Sequence, residues 1–183
     1  MRCMRVLVAT VVAAMLLPGP IVFAQIYDRS LESLRLRAEV DGENNRDYRV
    51  DIYEPVDGSR HGWLLEMRCT NCKEEYVYQE VIDDYPIRIF PIGAHYLVTE
   101  WSSAVATIVR LYHLGNEVRL ALHHGVRGGA EYTLAEDGKT PTMIFDYVDE
   151  PWKDKPKMFR EIWKWNGAQF VKTSTRCIQN CRR

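Results

Sequence analysis

The sequence predicts an all-β fold: an antiparallel meander forming a small sandwich, a barrel or propeller-like blades. Three observations carry that expectation. Apolar and polar residues alternate with a period of two through most of the chain. Turn residues recur about every eight to twelve positions. No segment sustains the apolar stripe of an amphipathic helix.

The chain opens MRCMRVLVATVVAAMLLPGPIVFAQ. Arg2 and Arg5 precede an apolar run from Val6 to Leu17, which Pro18, Gly19 and Pro20 end. Val22 and Ala24 occupy the small-residue positions of a cleavage site. This is the pattern of a secretory signal peptide over residues 1–24. A membrane-spanning helix needs about 20 apolar residues, and this run is shorter. The expectation is an exported protein, periplasmic or secreted, with one all-β domain over 25–183 and no stable membrane span. A chain of that length buries roughly 70% of its unfolded surface and folds without a metal. Cleavage removes two arginines and no acid, leaving 22 basic against 25 acidic residues. A weakly acidic balance without a basic face argues against nucleic acid as a partner.

LRLRAEV (34–40) places Leu34, Leu36, Ala38 and Val40 on one strand face and charges on the other. DGENN (41–45) is a turn by composition, and YRVDIYE (48–54) completes a hairpin. WLLEMRC (63–69) and EYVYQEVI (75–82) flank a cysteine loop. Pro86 and Pro91 bracket IRIF, which suits an edge or a bulge. HYLVTEWS (95–102), ATIVRLYHL (106–114) and EVRLALHHG (117–125) follow, the last two joined at Gly115-Asn116. EDGKTP turns between two further strands, VDEPWKDKPK (148–157) is an exposed connection, and Asn166-Gly167 centres a closing hairpin.

Four cysteines follow the leader: Cys69, Cys72, Cys177 and Cys181. An even count in an exported chain points to disulfides. The close pairs can each bridge locally, or cross and tie the tail to the middle of the domain. Sequence does not settle connectivity. The polar tail after Thr173 has little apolar content to dock it, so the crossed pairing is expected, each bridge worth about 4–5 kcal/mol by chain entropy. A four-thiolate zinc site needs thiolates that an oxidising compartment consumes. A redox C-x-x-C needs a following helix, and KEEYVYQEV alternates like a strand instead.

GGAEYTLAEDGKTPTMIFDY and EIWKWNGAQFV resemble strand, acidic loop and strand units of exported FG-GAP-type β-propeller repeats. The resemblance covers the C-terminal half and implies propeller-like strand topology. The family's calcium loop needs closely spaced carboxylates, whereas here Glu136 and Asp137 stand between Ala135 and Lys139. Calcium binding is therefore not carried over. The chain is also short for a full propeller of four or more blades.

Catalytic motifs are absent from the sequence. His123 and His124 are adjacent, so on a strand they point to opposite faces. Ser102-Ser103 lacks a G-x-S-x-G setting. Asp83-Asp84 before Tyr85-Pro86 reads as a turn former. Gly125–Ala130 lacks the Gly-Lys-Ser/Thr of a phosphate cradle. No cofactor or metal is implied. Trp152, Trp163 and Trp165, with Tyr147 and Phe159, crowd the C-terminal third. Trp163 and Trp165 are two apart and share a sheet face, either core or a stacking platform. The reading is a disulfide-stapled binding or structural module contacting an envelope protein or carbohydrate. An extracytoplasmic hydrolase is the alternative, and a thiol-disulfide redox protein stands behind it.

Overall fold

A computed structural model describes residues 32–55 and 62–181. The leader expected over 1–24 lies outside the described residues. Twelve strands are described: β1 (Glu32–Asp41), β2 (Asp47–Pro55), β3 (Trp63–Cys69), β4 (Val77–Ile82), β5 (Tyr85–Ile92), β6 (Tyr96–Ser102), β7 (Thr107–Leu114), β8 (Val118–Val126), β9 (Ala130–Leu134), β10 (Pro141–Asp149), β11 (Lys157–Trp165) and β12 (Phe170–Gln179). There is no α-helix among the described residues, and hence none long and apolar enough to cross a membrane.

The all-β antiparallel meander is present as three consecutive four-stranded sheets, β1–β4, β5–β8 and β9–β12. The propeller-like topology drawn from the FG-GAP resemblance is corrected. The sheets are separate, and none closes into a barrel or propeller. GGAEYTLAEDGKTPTMIFDY and EIWKWNGAQFV are instead the two hairpins of the third sheet. Asp137 accepts from the Lys139 and Thr140 N–H groups, each at 2.8 Å, and from the Thr140 hydroxyl at 2.6 Å. Those bonds close the turn and hold its carboxyl down at about 2. It is a turn former, with no metal-ligand cluster among the described residues.

Alternation explains the layering. In β6, every residue but Ser102 is buried. Leu97 and Trp101 on one face join Val50, Ile52, Leu65 and Met67 of the first sheet. Tyr96 and Val98 on the other join Met143, Phe145 and Phe170 of the third. The middle sheet is therefore covered on both faces. β5 is one of its two edge strands, with a bulge between Pro86 and Arg88, where a residue lacking an N–H is tolerated. A second bulge, between Leu34 and Leu36, corrects the expected face of β1. Arg35 is the extra residue, so Leu34 turns outward and is 43% exposed while Leu36, Ala38 and Val40 stay inside.

Two carboxylates tie the layers. Glu80 on β4 pairs with Arg110 on β7 and accepts the Tyr112 hydroxyl at 2.8 Å and the Tyr78 hydroxyl at 2.9 Å. Glu100 on β6 takes both arms of Arg88, at 2.6 and 2.7 Å, and the Tyr132 hydroxyl of β9. Burial pushes the Glu100 carboxyl up, but the bonds from Arg88 and Tyr132 outweigh it and hold it below its usual range.

The crossed disulfide pairing is also corrected. Cys69 bridges Cys72, and Cys177 bridges Cys181. Cys69 ends β3 in the first sheet, while Cys177 pairs with Phe159 in the third. The middle sheet lies between them, and stacked sheets are about 10 Å apart. Bridged Cα atoms stand within about 7 Å, so crossing is geometrically closed. The tail needs no such tie. β12 is hydrogen-bonded along β11, and the Asn180 amide donates to the Pro156 carbonyl at 2.9 Å. Loops this small predict about 2 kcal/mol per bridge on reduction, and about 4–5 kcal/mol would restore the long-loop pairing. Peptide mapping is expected to give two internally bridged peptides and no peptide joining the two segments.

Candidate functional site

β8 carries both histidines past the third sheet. The period of two turns His123 out to solvent and His124 inward. The His124 ring lies 4.6 Å from that of Phe145 and 5.0 Å from that of Trp163. Its Nε2 is 3.7 Å from Glu161 Oε2. Glu161 is buried on β11 and held in place: Lys172 Nζ donates to Oε1 at 2.8 Å and Trp163 Nε1 to Oε2 at 3.1 Å. Tyr147 and Phe159, opposite each other on β10 and β11, stack at 5.4 Å. Between the middle and third sheets these groups leave an open cleft of about 340 Å³, lined by His124, Arg127, Phe145, Tyr147 and Glu161.

The aromatic face moves accordingly. Trp163 and Trp165 share a face, but it is the inner one, where both are half-buried against the core of the second and third sheets. Trp165 packs on Phe170 at 5.5 Å. Trp152 stands apart in the β10–β11 connection, 78% exposed. The structure does not assemble these three into one platform.

Other sequence candidates resolve into structure. Ser103 closes the β6–β7 turn, donating to the Ala106 carbonyl at 2.9 Å and accepting its N–H at 3.1 Å. Asp83-Asp84 forms the β4–β5 turn. In the Gly125–Ala130 segment a Cβ at Gly128 would meet the Asp146 carbonyl oxygen at 2.1 Å, so that glycine serves close packing. Sequence reasoning passes over Glu161, although the same period of two places it with Trp163 and Trp165.

Burial lowers the His124 pKa and outweighs the attraction of Glu161, while Lys172 and His123 lower it further. The folded chain therefore resists a proton that the unfolded chain accepts. Stability from this group is full above the unfolded value of 6.5 and is lost as pH falls below it. His113 acts in the same direction, through burial against the pull of Glu43. His124→Gln is expected to flatten the decline in unfolding free energy between about pH 7 and about pH 5, measured by urea denaturation. An unchanged slope would show that His124 titrates as in water.

Chemically, the cleft offers a half-buried tyrosine ring, a neutral imidazole, a fixed carboxylate and an exposed guanidinium. That set suits a ligand with a flat, partly apolar body and a hydrogen-bonding edge. No protein-family model, curated protein or solved structure matches the chain.

Proposed function

We propose that this is an exported, disulfide-stabilised binding module that takes a sugar ring of an extracytoplasmic glycan in the cleft between its second and third sheets. Support for export comes from the leader pattern of residues 1–24 and from the two disulfides, which persist in oxidising compartments. The observation that carries binding is the convergence of Tyr147, Arg127, His124 and Glu161 on one open cleft of about 340 Å³. The tyrosine ring offers a surface for the C–H face of a sugar, and the polar groups surround its hydroxyls.

Calorimetry and NMR titration against a panel of neutral oligosaccharides test this reading. Tyr147→Ala is expected to weaken binding about tenfold or more, and Arg127→Ala by less. Binding unaffected by both changes would remove the cleft as the site.

One contact favours a second reading. His124 beside Glu161 is an acid–base neighbour pair of the kind a hydrolase uses. Glu161 is already held by Lys172 and Trp163, which suits a fixed charge better than a nucleophile. Turnover of chromogenic glycosides that disappears in His124→Ala would establish the hydrolase.

A further inference from the structure

The first and second sheets share a loop end, and three loops there frame a larger cleft of about 590 Å³. The β1–β2 turn supplies Asn44 and Asn45, the β3–β4 loop Asn71 and Tyr76, and the β7–β8 turn Asn116. The walls are braced. Asn71 accepts the Asp47 N–H at 2.8 Å and donates to the Asn45 carbonyl at 2.9 Å and the Asp47 carboxylate at 2.8 Å. Asn44 Nδ2 donates to Asn116 Oδ1 at 3.1 Å, and Arg46 to the Asn116 carbonyl at 2.6 Å. The Tyr76 hydroxyl accepts the Val118 N–H at 2.8 Å. The Cys69–Cys72 bridge closes the loop that carries Asn71.

The turns present exposed carboxamides to the cleft. Asn44 and Asn45 both hold left-handed backbone, with φ of 57° and 56°, where glycine carries no steric cost. Their carboxamides face solvent, where a ligand can take the place of water. Asn44 Oδ1, Asn116 Nδ2 and the whole Asn45 carboxamide make no hydrogen bond to the described residues. The lining charges also balance, Arg46 and Lys73 against Glu74 and Glu75.

We infer that this cleft binds an uncharged ligand bearing amide and hydroxyl groups, an N-acetylated amino-sugar chain. A carboxamide presents a donor and an acceptor side by side, so it pairs reciprocally with an acetamido group. Tyr76, half-buried in the lining, gives the ring or methyl an apolar contact. Balanced charge gives an ionic ligand no advantage. The first and second sheets alone form this site, so it is independent of the cleft that carries the proposed function.

NMR titration of the disulfide-intact chain with tri-N-acetylchitotriose tests it, with maltotriose as a hydroxyl-only comparison. Saturable shifts are expected in the side-chain amides of Asn45 and Asn116 and the ring of Tyr76. Asn45→Gly keeps the left-handed backbone and removes the carboxamide, so binding is expected to weaken about tenfold with Tm unchanged. Tyr147→Ala, outside this cleft, is expected to leave these shifts in place. Equal affinity for maltotriose would overturn the amide pairing. Absence of saturable shifts at these residues, or unchanged affinity in Asn45→Gly, would overturn the site.

Discussion

Glu80→Ala is expected to lower the free energy of unfolding by about 3–5 kcal/mol, the cost of leaving a buried charge without its partner. Glu80 stands between the first and second sheets. Its carboxylate meets Arg110, whose side chain is 12% exposed, and accepts both the Tyr78 and Tyr112 hydroxyls. Burial and the nearby carboxylate push both phenol pKa values up, so the hydroxyls remain donors at any pH of interest. Alanine strands one cation and two donors together. Arg110 Nε already lacks a partner, so the guanidinium has little left to fall back on. Glu80→Gln keeps an acceptor for the hydroxyls and should cost less, about 1–3 kcal/mol. Pairing Glu80→Ala with Arg110→Met should recover part of the loss. Urea denaturation at fixed pH measures all three. A loss below about 1 kcal/mol for Glu80→Ala would mean that water reaches Arg110 and that the pair acts as a surface one.

Trp101→Ala is the second large effect, about 3–5 kcal/mol from lost transfer energy and the cavity left behind. Trp101 is fully buried where β6 faces the first sheet. Its Nε1 also donates to Thr99 Oγ1 at 2.7 Å, so truncation leaves a buried hydroxyl short of a partner. Trp101→Phe separates the contributions. It retains much of the packing and loses the hydrogen bond, for about 1–2 kcal/mol. Thermal unfolding reads both variants. Equal costs for alanine and phenylalanine would place the energy in the hydrogen bond alone.

Where a strand meets solvent on one face, its residues announce it. REIWKWNGAQFVKT alternates and turns where Asn166-Gly167 requires. The prolines around IRIF mark an edge strand with a bulge. What the pattern conceals is a strand buried on both sides. Thr99 and Glu100 look like solvent positions in YLVTEWS, yet both are buried, one bonded to Trp101 and the other to Arg88. Layer order has no local signature, and so the cysteine connectivity could not be read either. The inter-sheet cleft was half legible. Alternation gives the shared face of Glu161, Trp163 and Trp165, but only the packing of β8 brings His124 to it. The Asn45 and Asn116 cleft was opaque, because its three loops are distant in sequence.

The doubly covered middle sheet has a consequence for how the chain is made. Synthesis runs from the first sheet to the third, and sheets form from contiguous segments. When β8 has emerged, the first sheet can already shield Leu97, Trp101 and Tyr112. Val98, Val109, Leu111 and Leu122 must wait for β10 to β12. The nascent chain therefore carries a broad bare β surface until its final strands appear, the kind of transient surface that holding chaperones recognise and that favours aggregation.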